Sequence, residues 1–214
     1  VTGSAIKADD ISALDGIVDV SRETSERLAR FVALLRKWQA AQNLVSPKTL
    51  PTIWRRHVAD SAQLVSVCPD ARTWLDLGSG AGFPSLVVAI LLGPTGQVDL
   101  IESDGKKCAF LREAIRVTGA PAKVHQDRIE SVVGAWPRPV DVVTARGLAP
   151  LAELLAMVEP LVAKGARALF HKGGEFEVDL RAATTSWDFD LVKHKSKVDD
   201  AGVILEITRV ARKT

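Results

Sequence analysis

Two hydrophobic periods follow one another along this chain, and their order predicts most of its architecture. Over residues 21–43, Leu28, Phe31, Val32, Leu35 and Trp38 recur at helical spacing, and Ser21 is placed to accept from the first-turn N–H groups. A long amphipathic helix is predicted. A second helical stripe follows Pro51, where Ile53, Trp54, Val58, Ala62 and Val65 share a face and Arg55, Arg56 and Asp60 fall elsewhere. Ahead of both, residues 1–20 are acidic and irregular, with room for a short helix over 9–14, and a mobile end is expected there.

Beyond residue 73 the pattern changes. Apolar runs at 74–77, 98–101, 122–125, 141–145 and 167–170 read as strands. Helical stretches separate them, at 86–92, from 103 to a stop at Gly119, and at 151–163, closed by Gly165. Strands alternating with helices imply right-handed crossovers and a parallel sheet. The tail differs: 175–187 is helical in pattern, and 189–197 and 203–210 read as strands joined through Asp199-Asp200-Ala201-Gly202, an antiparallel hairpin. The expected fold is α/β, a Rossmann-like doubly wound sheet of seven strands with a terminal antiparallel hairpin. An acidic tail and helical extension over 1–70 precede the core over 71–214, expected as one compact unit.

Composition narrows the setting. At 214 residues and 47% hydrophobic the chain can bury one ample core. No basic start is followed by an apolar signal core, and the run at 86–92 is far too short to span a bilayer, so a cytoplasmic protein without a membrane partner is expected. Two cysteines, Cys68 and Cys108, are too few for a disulfide framework or a zinc cluster and read as ordinary thiols. The net charge is only +2, but Lys7 and Arg22 face six acids up to Glu26, so the first segment carries −4 and the remainder +6. A mildly basic body is weak support for a polyanionic partner.

The candidate chemistry centres on Trp74-Leu75-Asp76-Leu77-Gly78-Ser79-Gly80-Ala81-Gly82-Phe83-Pro84, a strand that runs into three alternate glycines and then a helix. Such a loop brings backbone close to a ligand and aims helix N–H groups at it. A dinucleotide fingerprint needs glycine at its sixth position, where this chain has Phe83. An acid two places before the first glycine instead resembles motif I of the class I S-adenosylmethionine-dependent methyltransferases. In that family the acid, here Asp76, lies near the methionine end of the cofactor, where a carboxylate suits an ammonium. In doubly wound sheets ligands sit beyond the carboxyl ends of the strands, which is where Glu102, residues 127–130 and Arg146 fall. A carboxylate at Glu102 can accept both ribose hydroxyls of an adenosine.

Five strings in order narrow the resemblance. They are Arg56-His57-Val58-Ala59-Asp60-Ser61, Asp76 through Pro84, Glu102-Ser103-Asp104-Gly105-Lys106-Lys107-Cys108-Ala109-Phe110-Leu111, Arg128-Ile129-Glu130 and Ala145-Arg146. Together, over about residues 28–172, the chain resembles the glucose-inhibited division protein B family, bacterial enzymes that methylate guanine N7 in small-subunit (16S) ribosomal RNA. The resemblance implies S-adenosylmethionine as cofactor, with Gly78 and Phe83 lining its loop beside Asp76, Ser79, Gly80 and Gly82. It also implies that Glu102 holds the ribose, that Ile129 and Glu130 flank the adenine, and that Arg146, the candidate catalytic residue, sits at cofactor and target base. The implied partner is small-subunit ribosomal RNA or the ribosomal particle, met by a monomer. The chain departs from the family pattern at Ser85, usually glycine, and at Gln39-Ala40, usually Asn-Lys.

Other features bear on the chemistry. No Asn-Pro-Pro-aromatic string and no Pro-Cys pair follows the fourth strand, so neither amine nor pyrimidine-carbon methylation is favoured. Guanine N7 carries a free lone pair and needs no general base. His57, Asp60 and Ser61 form no hydrolase set, because no strained elbow or oxyanion loop accompanies them. Trp38 and Trp54 lie on apolar faces and read as core, with base stacking the minor alternative. Lys193-His194-Lys195-Ser196-Lys197 reads as a charged edge strand, and Lys106 and Lys107 as phosphate contacts. A small-molecule methyltransferase and a non-catalytic RNA-binding module with a relic pocket remain open alternatives at this point.

Overall fold

Five apolar runs become the parallel strands β1 (Thr73–Leu77), β2 (Gln97–Glu102), β3 (Ala122–Gln126), β4 (Val142–Arg146) and β5 (Arg167–Lys172) of one sheet. Two longer strands, β6 (Trp187–Lys195) and β7 (Val203–Arg212), add antiparallel beyond β5. The order is β3-β2-β1-β4-β5-β7-β6. The chain thus runs outward through β2 and β3, then returns to lay β4 on the other side of β1. The switch point lies between β1 and β4, in register at Asp76 with Thr144 and Leu77 with Ala145. The structure, a computed structural model, describes residues 9–213, so the start of the expected acidic tail, residues 1–8, lies outside the described residues.

Strand alternation sends side chains to two cores. Trp74, Val98, Leu100 and Val142 face one that also contains Leu28, Phe31, Leu35, Leu86 and Phe110. Leu75, Leu77, Val143 and Ala145 face the other, with Leu151, Leu155, Val158 and Phe170. The first is covered by α1 (Arg22–Gln39), α2 (Asp60–Val67), α3 (Ser85–Leu92) and α4 (Gly105–Thr118), the second by α5 (Ile129–Val132), α6 (Leu151–Val162) and α7 (Phe176–Ala183). Trp38 meets Phe110 edge-on at 5.6 Å, and Trp54 is buried, so both tryptophans belong to the core. Cys68 and Cys108 are buried free thiols.

Strand ends shift by about two residues, β6 running 187–195 rather than 189–197, and three larger departures from the sequence expectation have a physical cause. Helix α1 is capped by Ser21 as expected, its Oγ accepting from the Thr24 amide at 3.1 Å, but it ends at Gln39 rather than 43. The Gln39 amide turns back on the following loop, accepting from the Leu44 and Val45 N–H groups and donating to the Val45 carbonyl. One of the two departures from the family pattern therefore holds a turn. Residues 9–20 are packed rather than loose: Leu14 and Ile17 are buried, and the Asp9 carboxylate accepts from the Trp54 and Arg55 amides. That carboxylate satisfies two N–H groups at the start of a wide π-helical turn, Trp54–Ala59, which runs directly into α2. Finally, the helical pattern at 175–187 stops at Ala183, because Trp187 is buried as the first residue of β6.

Strand β6 forms one edge of the sheet, with Lys193 paired to Glu177 and His194 to Glu206. Charge along that edge opposes further strand pairing. No helix among the described residues is long and apolar enough to cross a membrane.

Candidate active site

The glycine loop is tied down by the acid at the end of the neighbouring strand. Glu102 Oε2 accepts from the Gly80 amide and Oε1 from the Asp104 amide, both at 2.8 Å. The first bond requires Gly80 to present its N–H from a left-handed conformation, φ +54°. Gly82 is equally constrained: its φ is +83°, and a Cβ there would stand 2.6 Å from Leu86 Cδ1. Asp104 then caps α4 by accepting from the Lys106 and Lys107 amides. Strand, loop and helix start are thereby fixed around one carboxylate.

These elements bound a cavity of about 320 Å³ at the carboxyl ends of β1, β2 and β4. Gly78, Gly80, Glu102, Ile129 and Glu130 line it, which brings together five of the residues expected at a cofactor. Lys107 and Arg128 line it too, while Lys106 is exposed beside it. Ser79, Gly82 and Phe83 form the buried underside of the loop. Phe83 stacks on His57 with ring centroids 4.9 Å apart, which joins the loop to the wide turn before α2. Besides Ile101, Ser103 and Asp127, the lining takes in Gly147, Leu148 and Met157. None of the last three carries a charge or a motif that sequence reading could single out.

Asp76 sits beneath the loop rather than in the cavity wall. It shares the Trp74 side of β1, is 1% exposed, and accepts from Thr144 Oγ1 at 2.8 Å. Its second oxygen and the Ser85 hydroxyl are buried without hydrogen-bond partners among the described residues. Burial pushes the Asp76 carboxyl up to about 6, against the pull of the bonded Thr144 hydroxyl and of the nearby Ser79 and Ser85 hydroxyls. The folded protein therefore binds this proton more tightly than the unfolded chain does. The resulting stabilisation is present below the unfolded value of 3.8 and is lost as pH rises through about 6. Asp76→Asn is accordingly expected to gain stability relative to the parent by about 1–1.5 kcal/mol between pH 5 and pH 8. Urea titrations of both proteins at the two pH values check this, and a pH-independent difference would remove the buried titration.

Arg146 closes β4 and points toward the N-terminal helices. Its Nη2 donates to the Arg56 carbonyl at 2.9 Å, inside the wide turn, and stands 3.4 Å from Asp60 Oδ2. Its Nη1 is buried without a partner among the described residues. Burial draws the guanidinium below its ordinary value, with Asp60 opposing the shift and Arg56 adding to it. Around it lies a second cavity of about 200 Å³, lined also by Arg56, Asp60, His171, Lys172 and Asp199. Sequence reading missed His171 and Lys172 as site residues, although the rule that marks Arg146 marks them too, since they end β5.

The histidines here are held neutral. Burial, reinforced by Arg146 and Arg56, pushes His57 down to about 3, and its Nε2 is 2.8 Å from Thr49 Oγ1. Burial lowers His171 as well, with Asp60 opposing. Ser61 donates to the His57 carbonyl, so no nucleophile–base pair forms between His57 and Ser61.

Comparison with known proteins agrees with this geometry. Residues 24–204 match the family profile described as rRNA small subunit methyltransferase G, GidB. The chain is 49% identical over 214 residues to the ribosomal RNA small subunit methyltransferase G of Bradyrhizobium sp. strain BTAi1, covering 99% of this chain and 96% of that protein. It is 50% identical over 197 residues to the protein of the same name from Brucella canis, covering 91% and 92%. Among solved structures it resembles the O-methyltransferase TomG of Streptomyces achromogenes, solved in complex with SAM, with TM-score 0.59 and 14% identity over 94% of this chain and 95% of that one. That last likeness speaks for the fold alone. With half its residues shared over nearly its whole length and the glycine loop, Glu102 and Arg146 gathered at the switch point, the chain belongs to the rRNA small subunit methyltransferase G (GidB) family.

Proposed function

We propose that this chain transfers the methyl group of S-adenosylmethionine to guanine N7 in small-subunit (16S) ribosomal RNA, acting as a cytoplasmic monomer. The observation that carries the reading is the carboxylate-tied glycine loop at the switch point, opening on the Glu102 cavity. The residues fit the cofactor. Glu102 spends one lone pair on the Gly80 amide of the loop and one on the Asp104 amide at the start of α4, and keeps others for ribose hydroxyls. Ile129 and Glu130 offer an apolar wall and an acceptor for adenine, and the backbone of Gly78 and Gly80 admits close approach. Asp76, under the loop, supports it from below and adds negative charge toward the methionine end.

The bound cofactor supplies an electrophilic methyl group on a sulfonium centre. The chain's task is then alignment, because guanine N7 already bears a lone pair and no proton need leave before attack. Orientation of this kind can lower a barrier by roughly 7–11 kcal/mol. The cavity at Arg146 adjoins the cofactor cavity through Gly147, which lines both, so a base held by Arg146 stands beside the donor. The test is direct: incubate the protein with labelled S-adenosylmethionine and undermethylated small subunits, then map the label. Label on small molecules alone, or on no guanine N7, would overturn the reading.

RNA phosphates are expected to meet the positive charge around this opening. Lys106 is exposed at the first turn of α4, beside Lys107 and Arg128 at the cavity rim. Each phosphate contact releases counterions, so Lys106→Ala should flatten the slope of log affinity against log salt by roughly 0.7–0.9. Filter binding across a salt series reads this, and a slope equal to that of the parent protein would take Lys106 out of the RNA contact.

A further inference from the structure

We propose that the cavity between Arg146 and Asp60 receives the target guanine, and that the Asp60 carboxylate selects it by accepting from guanine N1–H and the 2-amino group. This rests on the guanine-N7 reading and assigns a specificity residue to it.

The position comes first. The cavity shares Gly147 with the cofactor cavity on one side. On the other it shares Lys172 and Gly173 with an open groove of about 910 Å³ that runs past Ala149, Phe176 and Asp179. It thus lies between the open groove and the cofactor cavity, next to both. An enzyme that modifies a base takes that base out of its stack, and a cavity beside the donor is where it must arrive.

The walls are built rather than incidental. Asp60 begins α2 directly after the wide turn, and its Oδ1 accepts from Gln63 Nε2 at 3.1 Å. Gln63 in turn accepts from the Lys197 amide at 2.6 Å and donates to Ser196 Oγ, fastening the β6–β7 turn over the cavity. Arg56 pairs with Asp199 across the same seam. Three elements distant in sequence therefore fix Asp60 in place.

Polar capacity remains inside these walls. Asp60 Oδ2 lies 3.4 Å from Arg146 Nη2, while Arg146 Nη1 and His171 Nδ1 are buried with no partner among the described residues. The His171 side chain is 8% exposed. Buried polar atoms are normally satisfied, so two unpaired atoms on side chains that line one cavity mark its wall as short of polar partners. With N7 committed to the methyl group, guanine still presents O6 as acceptor and N1–H and the 2-amino group as neighbouring donors. A carboxylate matches the donor pair, and the Arg146 guanidinium matches O6. Adenine also has a nucleophilic N7, so N7 alone cannot discriminate. Adenine would set an unprotonated N1 against the Asp60 carboxylate, offer no 2-amino group, and leave Arg146 facing an amine. A site built for guanine hydrogen bonds rejects a base that leaves its polar groups unpaired.

Small subunits carrying inosine at the mapped methylation position test this, because inosine lacks only the 2-amino group. In single-turnover assays the wild-type rate is expected to fall by about tenfold or more on inosine. Asp60→Asn is expected to react about 10- to 100-fold more slowly on guanosine, with inosine changing its rate by less than about threefold. Any intrinsic loss of N7 reactivity in inosine is common to both proteins and cancels in that comparison. Retained S-adenosylmethionine affinity in Asp60→Asn, measured by calorimetry, shows the variant folded. Equal wild-type rates on guanosine and inosine, or the same inosine penalty in both proteins, overturn the assignment of Asp60 while leaving guanine-N7 methylation standing. A wild-type enzyme that forms no N7-methylguanine overturns both. The wild-type arm stands even if the variant fails to fold.

Discussion

Glu102→Ala is expected to weaken S-adenosylmethionine binding by about 1.5–3 kcal/mol, roughly ten- to a hundredfold in Kd. Two losses combine. The ribose hydroxyls lose a charged acceptor, and the Gly80 and Asp104 amides, each 2.8 Å from a carboxylate oxygen, lose theirs. Glu102 is 7% exposed, so water reaches those amides poorly once the side chain is gone. Glu102→Gln separates the two effects. An amide side chain keeps one acceptor for the loop but forfeits the charge, and its affinity should fall between those of alanine and the parent. Isothermal calorimetry at neutral pH measures all three proteins. An alanine variant that binds as tightly as the parent would show that Glu102 only braces the loop, and preference of the parent for a nicotinamide dinucleotide would reject the cofactor assignment.

That site was legible in the sequence because backbone conformation dictates it. Alternate glycines between a strand and a helix, and an acid at the end of the next strand, are constraints of one βαβ unit, and local spacing carries them. Ser85 and Gln39 also stood out as departures: Gln39 ties the loop after α1, while the buried Ser85 hydroxyl lies near the Asp76 carboxyl without a hydrogen-bond partner among the described residues. The burial of Asp76 was also written in the chain, since strand alternation places it on the side of Trp74, away from Leu75 and Leu77. Attention to the glycine motif alone puts it in the cavity.

What was not legible depends on contacts between distant segments. The packed course of residues 9–20 hangs on Asp9 finding two amides 45 and 46 residues later. The second cavity assembles Asp60 from α2, Arg146 from β4, His171 and Lys172 from β5, and Asp199 from the β6–β7 turn. No single window holds two of these elements in a recognisable pattern. The strands themselves could be read because period and composition are local, whereas the tertiary meeting of their ends follows only once the order β3-β2-β1-β4-β5-β7-β6 is fixed.

Arg146→Lys is expected to lower the single-turnover methyl-transfer rate by about tenfold or more while leaving its pH profile flat near neutrality. Charge is conserved, so the loss must come from geometry. The guanidinium is anchored by Nη2 on the Arg56 carbonyl and steered by Asp60, which fixes its plane at the cavity wall. An ammonium on a shorter, more flexible stem cannot hold one donor on that carbonyl and a second on the base in the same fixed plane. The flat profile follows from the groups around it. His57, pushed down to about 3, is too weak a base to assist, and burial lowers His171 in the same direction. His57 does not change charge between pH 6.5 and 8.5, burial shifts His171 toward the neutral form, and guanine N7 is unprotonated throughout. Asp76, pushed up to about 6, completes its titration below most of that window and lies under the loop away from the cavity wall. Rapid-quench assays on saturated enzyme from pH 6.5 to 8.5 check both claims. A log-linear rise with pH that a carboxylate or histidine substitution abolishes would establish a general base, and an Arg146→Lys enzyme as fast as the parent would leave the guanidinium with only a packing role at the end of β4.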